Sequence, residues 1–175
     1  MKKKIIALTG LPASGKSSVA TRLHAVLDSV LLDKDKVRDS LFKTYVDYSD
    51  EQNDLCVDLI YQVALYLLRK DEPPAVIIDG RSYSRKYQID ALKNIVVMAQ
   101  CRLCIIECIC SAESARQRLL KDQAVHPAKD RDYAMYLQRR ASAEPIQENR
   151  LTLDTDSLSV DECAERALAY VADTS

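Results

Sequence analysis

The sequence of 175 residues contains no tryptophan, one phenylalanine, two histidines and three glycines. The histidines, His24 and His126, lie far apart and do not suggest a metal-binding cluster. No apolar run approaches the roughly 18 residues of a membrane span. Twenty-five basic and 26 acidic residues leave a net charge of -1, which gives no general attraction to nucleic acid or to an anionic membrane. The scarcity of tryptophan and phenylalanine leaves no obvious stripe of aromatic and basic residues on which single-stranded nucleic acid would stack.

Four of the six cysteines lie in the segment CRLCIIECIC, residues 101–110. A CxxC followed by CxC also occurs in metal sites, but LCIIECIC has the composition of a buried strand. Because strand side chains alternate between two faces, Cys101 and Cys104 would point to opposite sides, and the four thiols could not bind one zinc. We interpret them as small core residues. The apolar run at residues 5–8 is too short for a signal peptide, so we expect a cytoplasmic protein with reduced cysteines.

Strand and helix patterns alternate along the chain, which is typical of a parallel sheet with helices on both faces. The apolar segments KIIALT, VLLD, AVIIDG, LCIIECIC and RLTLDT predict about five strands. Between them the pattern predicts a helix near residues 36–43 and a longer helix near residues 51–70. The longer helix is predicted to bury one apolar stripe, formed by Leu55, Cys56, Leu59, Ile60, Val63, Ala64, Leu67 and Leu68. Since the chain shows no linker and no repeat, we expect residues 1–175 to form a single domain.

The segment GLPASGKS, residues 10–17, lies between the first predicted strand and a helix and matches the phosphate-binding pattern GxxxxGK[ST]. Gly10 and Gly15 let successive backbone N–H groups turn toward phosphate oxygens, and the helix adds its positive N-terminus. Lys16 would reach the β- and γ-phosphates, and the Ser17 hydroxyl would bind Mg²⁺. We expect ATP, which the pattern does not distinguish from GTP, to bind this segment with Mg²⁺. The expected contacts are Gly10, Leu11, Pro12, Ala13, Ser14, Gly15, Lys16, Ser17 and Ser18.

Acidic residues end two of the predicted strands. Asp79 closes AVIID and is followed by Gly80, the third glycine, in a position from which a carboxylate contacts Mg²⁺ directly or through water. Asp33 ends VLLD and is expected to hold magnesium-shell water or to cap the next helix. Ligands gather at the carboxyl ends of parallel strands. Asp35 and Arg38 are therefore candidates to activate and position a hydroxyl acceptor, although a helix cap with solvated charges is the alternative.

The motifs GLPASGKSS, DxDxxR, VIIDGRSYSR and ECICSAESARQRL occur in the order seen in small P-loop kinases, which the chain resembles from Ile5 to Val171. This family includes a predicted-kinase branch of ATP-binding proteins, kinases of antibiotics or adenylyl sulfate, and polynucleotide 5′-hydroxyl kinases. The resemblance implies an α/β P-loop NTPase fold in three layers, with strand order 2-3-1-4-5, helices on both faces and a short lid. It also implies that Asp35 is the general base and that Arg38 orients the reacting groups, as in polynucleotide kinases.

The resemblance also suggests residues around the lid, which would span about residues 121–131. Arg118 would pack on the nucleotide base. The usual lid arginine is out of register because Asp122 stands in its place, so Lys121 or Arg131 would contact the phosphates instead. Candidates for acceptor binding follow Asp79 and the Asp35 helix, with a surface role as the alternative; they are Arg81, Arg85, Tyr45, Asp47 and Tyr48.

Three functions are compatible with these residues. The leading hypothesis is an ATP-dependent kinase that transfers the γ-phosphoryl group to a hydroxyl of a small molecule. The second is a kinase of polynucleotide or nucleoside 5′-hydroxyls, which the balanced charge and few large aromatics disfavour. The third is a nucleotide-dependent switch or NTPase without a phosphate acceptor, which Asp35 and Arg38 disfavour. We expect no membrane or nucleic-acid partner, while the acceptor and the oligomeric state stay open.

Overall fold

The computed structural model describes residues 3–70, 73–122 and 132–173. Its strands are β1 (Lys4–Thr9), β2 (Val30–Asp33), β3 (Ala75–Asp79), β4 (Arg102–Ile109) and β5 (Leu151–Asp154). Its helices are α1 (Lys16–Val26), α2 (Lys34–Phe42), α3 (Asp50–Arg69), α4 (Lys86–Met98), α5 (Ala112–Asp122), α6 (Tyr133–Ala141) and α7 (Val160–Asp173), with a short 3₁₀ turn at Lys43–Tyr45.

The strands form a parallel sheet in the order β2-β3-β1-β4-β5, which confirms the predicted fold class. The central strand β1 pairs with β3 and β4, with Lys4 opposite both Ala75 and Arg102. At the end of the β2–β3 pair, Asp33 lies opposite Asp79. The carboxyl ends of the strands, and the acidic residues that close two of them, therefore meet at one edge of the sheet.

Helices bury both faces of the sheet, which explains the uninterrupted apolar strands. On one face, Ile5 and Ala7 of β1 belong to a core that includes α3 and α4. On the other face, Ile6 and Leu8 belong to a core that includes α1 and α7. Within the described residues, no helix is long and apolar enough to cross a membrane.

The buried side of α3 differs from the predicted stripe. Leu55 and Val63 are 49% and 45% exposed, whereas the buried residues of the helix are Gln52, Cys56, Val57, Ile60, Tyr61, Ala64 and Leu68. The predicted stripe is broader than the surface that the sheet covers. The helix turns Tyr61 inward, and the Tyr61 hydroxyl lies 3.3 Å from the hydroxyl of the fully buried Tyr83.

The clustered cysteines lie on different sides of the sheet. Cys104 and Cys108 are buried in the core under α1 and α7, while Cys101 packs against the opposite core. Burial raises the pKa of the Cys108 thiol to about 12. Among the described residues, no group of three or more histidine, cysteine and acidic side chains is arranged to hold a metal ion.

Candidate active site

The phosphate loop connects β1 to α1 and depends on its two glycines. Gly10 has φ 133°, and a Cβ atom there would lie only 2.2 Å from the backbone oxygen of Cys108 on β4. Gly15 has φ 86° and precedes α1, where no side chain of the described residues caps the first turn. The N-terminus of α1, with its partial positive charge, therefore faces the loop without a side-chain cap. Lys16 begins the helix, with its Nζ 3.5 Å from the backbone oxygen of Leu11.

Two carboxylates and a hydroxyl lie beside this loop at the edge of the sheet. Asp79 is only 2% exposed, and its Oδ1 has no hydrogen-bond partner among the described residues. Burial raises the pKa of Asp79, against the opposing effects of the Lys16 charge and a hydrogen bond with Ser17. Hydroxyl and carboxylate oxygens are the ligands that Mg²⁺ prefers. The buried Asp79 oxygen, together with Ser17 and Asp33, therefore fits a magnesium site.

Asp33 caps α2. Its Oδ1 accepts hydrogen bonds from the backbone N–H groups of Asp35, at 2.9 Å, and Lys36, at 3.4 Å. One of the two predicted roles of Asp33 is therefore present in the structure. Because the cap lies directly at the end of β2, α2 begins at Lys34 rather than near Lys36.

The early start of α2 creates a buried network that the sequence did not indicate. Lys34 Nζ lies 3.0 Å from Asp35 Oδ1 and donates to Asn53 Oδ1, also at 3.0 Å. Arg38 Nη2 lies 2.9 Å from the same Asp35 oxygen, and its Nη1 donates to Asn53 Oδ1 at 2.6 Å. The side chains of Lys34, Asp35 and Arg38 are 12%, 18% and 3% exposed. Two cations therefore share one carboxylate and one amide oxygen.

This network keeps Asp35 ionised. Burial by itself would raise the pKa of Asp35, but the charges of Lys34 and Arg38 outweigh it and place the pKa below its ordinary value. Burial lowers the pKa of Lys34, and the charge of Asp35 opposes that shift. In the described part of the chain, the ion pairs of the Asp35 carboxylate involve Oδ1. The other oxygen, Oδ2, is left to accept a hydrogen bond or a proton.

Gly80 lets the loop after β3 approach this network. It has φ 87°, and a Cβ atom there would lie 3.0 Å from both the Cβ and the backbone nitrogen of Lys34. Arg81 follows and is 7% exposed. Its Nη2 donates to Asp54 Oδ1 at 2.6 Å.

One cleft, which we call the main cleft because it contains Asp35, joins the phosphate loop to the Asp35 network. Its walls come from the loop, α2, α3, the β3–α4 connection, α4 and α6. The lining residues are Pro12, Lys16, Ser17, Lys34, Asp35, Arg38, Asp50, Asn53, Asp54, Gly80, Arg81, Ser82, Gln88, Met135 and Arg139. Charged or hydrogen-bonding side chains dominate, and Arg139 Nη2 pairs with Asp50 Oδ1 across the cleft at 3.0 Å.

The sequence predicted Pro12, Lys16, Ser17, Asp35, Arg38 and Arg81 as site residues, and all six line this cleft. It did not identify Lys34, Asn53, Asp54, Gln88 and Arg139. Of these residues, only Lys34 belongs to a segment that the sequence marks as a candidate site, DKDKVR. The other four lie in no recognisable motif.

A second pocket lies on the other side of the phosphate loop. Arg118 Nη1 donates to the Ala13 carbonyl at 3.2 Å and to Thr155 Oγ1 at 2.8 Å. Arg118 and Lys121 line this pocket together with residues 15–19 of the loop and helix. The pocket therefore adjoins the phosphate loop where a nucleotide would extend. Arg131, the other candidate lid cation, lies outside the described residues, as does most of the expected lid at residues 121–131.

Four predicted acceptor residues do not line the main cleft as the described residues form it. Tyr45 is 84% exposed. The Tyr48 ring lies 4.7 Å from the Arg38 guanidinium, and its backbone oxygen accepts from Asn53 Nδ2 at 3.1 Å. Asp47 accepts from the Ser49 N–H, and Arg85 donates to the Ser142 carbonyl.

Tyr48 therefore supports Arg38 from outside the cleft. Direct contact between an acceptor and Tyr45 or Tyr48 stays a prediction.

Comparisons with known proteins agree with this geometry. A family model described as an AAA domain matches residues 5–146, while no curated protein sequence matches the chain. A proposed kinase from Chloroflexus aurantiacus has a TM-score of 0.78 at 20% identity, covering 97% of this chain and 99% of that chain. The APS kinase of Mycobacterium tuberculosis, in complex with AMPPNP and APS, has a TM-score of 0.72 at 17% identity, covering 98% of each chain.

A gluconokinase from Sinorhizobium meliloti has a TM-score of 0.71 at 14% identity, covering 98% of this chain and 93% of that chain. At these identities the solved structures show a shared fold. Together with the match over residues 5–146, they establish that the chain belongs to the AAA domain family and has the fold of small P-loop kinases.

Proposed function

We propose that the protein is a Mg²⁺- and ATP-dependent kinase that transfers the γ-phosphoryl group to a hydroxyl group of a small molecule. The observation that carries this proposal is the position of Asp35. Its ionised carboxylate is held by Lys34 and Arg38 in the same cleft as Lys16 and Ser17 of the phosphate loop. In this proposal Asp35 would be the general base and Lys16 the phosphate-binding lysine of one transfer, since both line the same cleft.

The nucleotide would bind across the phosphate loop. The backbone N–H groups of residues 13–18 would surround the phosphates, with Lys16 as a point charge at the β- and γ-positions. Arg118 and the second pocket would receive the base. Arg118 also stabilises the loop, since it bonds the Ala13 carbonyl and both the hydroxyl and carbonyl of Thr155.

Ser17, Asp79 and Asp33 would hold the magnesium ion, directly or through water. The metal, when bound, neutralises charge on the phosphate oxygens of ATP and helps to align them. Asp79 is suited to this role because its buried oxygen has no protein partner among the described residues.

Asp35 would take the proton from the acceptor hydroxyl through Oδ2. Lys34 and Arg38 keep the carboxylate ionised and fix its orientation through Oδ1. Phosphoryl transfer depends mainly on positioning and on electrostatic stabilisation. A general base therefore adds a limited factor, typically about 10²- to 10⁴-fold in rate.

The two other functions receive less support. A polynucleotide substrate usually stacks its bases on aromatic rings, and no aromatic side chain lines the main cleft in the described part of the chain. An NTPase without an acceptor would not need a buried carboxylate beyond the phosphate loop. The cytoplasmic location and the single-domain organisation stay predictions.

An acceptor screen tests the proposal. ADP release from ATP and Mg²⁺ should rise when a suitable alcohol, sugar, nucleoside or oligonucleotide is added, and the acceptor should gain one phosphate. Lys16→Ala should abolish this activity and leave the fold intact, because the lysine acts on phosphates rather than in the core. ATP hydrolysis that no acceptor stimulates would favour the NTPase, and efficient labelling of 5′-hydroxyl DNA or RNA would favour the polynucleotide kinase.

A further inference from the structure

The wall of the main cleft contributed by Arg81 and α4 has two buried side chains with unpaired polar atoms. Arg81 is 7% exposed and Gln88 is 9% exposed. Among the described residues, neither Arg81 Nε nor Gln88 Oε1 has a hydrogen-bond partner. Buried polar atoms in native proteins are nearly always hydrogen bonded. Arg38 Nη2 in the same cleft is also without a hydrogen bond, but it lies 2.9 Å from Asp35 Oδ1. Arg81 Nε and Gln88 Oε1 therefore remain as the two atoms whose hydrogen bonding a ligand would complete.

The chemistry of these two atoms restricts the ligand. Arg81 Nε–H can only donate a hydrogen bond, whereas Gln88 Oε1 can only accept one. An anionic group would satisfy the arginine but not the glutamine oxygen. A hydroxyl group can do both, because it donates one hydrogen bond and accepts others.

Contacts with Asp54 and Tyr87 fix the position of the Arg81 guanidinium. Its Nη2 donates to Asp54 Oδ1 at 2.6 Å, and its Cζ lies 6.0 Å from the centre of the Tyr87 ring. Tyr87 also donates from its hydroxyl to Asp54 Oδ2 at 3.1 Å. Asp54 thus neutralises the arginine and adds carboxylate oxygens that can accept from further hydroxyls.

The rest of the cleft is polar and therefore disfavours apolar or aromatic acceptors. Only Pro12 and Met135 contribute apolar side chains to its lining in the described part of the chain. Within the described residues, the lining offers a nucleobase no aromatic ring on which to stack.

We propose that the phosphate acceptor is a small polyhydroxylated molecule, a sugar or polyol, whose non-reacting hydroxyls bind Arg81 and Gln88. This inference rests on the proposed kinase function. The reacting hydroxyl oxygen bonds to the γ-phosphorus, the bond from that phosphorus to the bridging oxygen of ADP breaks, and the hydroxyl proton passes to Asp35. The other hydroxyls stay intact and align the acceptor.

Acceptor kinetics of Gln88 variants test the inference. Gln88→Met should raise KM for the best sugar or polyol by roughly 3- to 10-fold, the effect of one lost hydrogen bond. Gln88→Glu keeps an accepting oxygen and should retain more of the affinity. Gln62→Met is the matched control, since Gln62 is exposed on α3 and outside the cleft.

A second measurement distinguishes a loss of acceptor binding from general damage to the enzyme. For a matched alcohol with only the reacting hydroxyl, KM should be high and equal in the parent protein and in Gln88→Met. The inference is wrong if this alcohol or a nucleoside reacts as efficiently as any polyol, or if Gln88→Met leaves KM for the polyol unchanged. In those cases the kinase function stands, whereas a failure of every acceptor to stimulate ADP release would remove the proposed function itself.

Discussion

Replacing Asp35 with asparagine should reduce both activity and stability, for different reasons. Asp35 Oδ1 lies 3.0 Å from Lys34 Nζ and 2.9 Å from Arg38 Nη2. With an effective dielectric constant of about 20, each pair has a gross Coulomb attraction of about 5–6 kcal/mol. Removing one member of a buried ion pair typically costs about 3–5 kcal/mol, because the remaining charge stays buried without compensation. Asp35→Asn should therefore lose about that much unfolding free energy and about 10²- to 10⁴-fold in kcat.

A second substitution separates the two effects. Lys34→Met in the Asp35→Asn background removes one of the uncompensated cations, so part of the lost unfolding free energy should return. The activity should not return, because the proton acceptor is still missing. Lys34→Met alone should raise the pKa of Asp35, since burial is then opposed by fewer charges, and should move the acid limb of kcat/KM to higher pH.

The measurements are kcat at saturating ATP and acceptor, the Kd for ATP, and urea unfolding for each variant. Asp33→Asn is the control, because asparagine caps a helix as well as aspartate; it should lose less rate and shift the Mg²⁺ requirement. The base assignment is wrong if Asp35→Asn keeps kcat within a few-fold of the parent protein. The electrostatic reasoning is wrong if the double variant is no more stable than Asp35→Asn.

Three further predictions concern the rest of the site and the cysteines. Gly10→Ala would place Cβ 2.2 Å from the Cys108 backbone oxygen. We therefore expect a loss of at least about 1–3 kcal/mol in unfolding free energy and a loss of ATP binding. An unchanged melting temperature and an unchanged Kd for ATP would contradict this. Burial raises the pKa of Asp79 above 3.8, so the folded protein binds the carboxyl proton of Asp79 more tightly than the unfolded chain does. The unfolding free energy should therefore fall as the pH rises toward the folded-state pKa and Asp79 ionises. In chelator, Asp79→Asn should therefore gain stability relative to the parent protein as the pH rises, and a difference that does not vary with pH would refute the assignment. Finally, elemental analysis of protein purified without chelator should find no stoichiometric zinc, whereas about one zinc per chain that is lost in Cys104→Ser would overturn the interpretation of the cysteines.

The sequence alone was sufficient to predict the features whose residues lie close together along the chain. The phosphate loop combines Gly10, Gly15, Lys16 and Ser17 within one strand–helix connection, so its pattern is readable without a fold. The alternation of apolar strands and helices predicted the parallel sheet, and the resemblance to small P-loop kinases implied its strand order, which the structure confirms. The end of an apolar strand likewise located Asp79 at the carboxyl edge of the sheet.

Only the tertiary structure decided which side chains surround Asp35. Lys34 joins the network because the Asp33 cap starts α2 at the strand end, and Asn53 reaches it from α3. The side of α3 that is buried also differs from the predicted stripe, because packing against the sheet and Tyr83 sets the rotation of the helix. Periodicity describes one helix at a time, whereas the walls of a cleft depend on how several helices pack together. The positions of Lys34, Asn53, Asp54 and Gln88 in this cleft could therefore not be predicted from the sequence, whereas Asp35, Arg38 and Arg81 could.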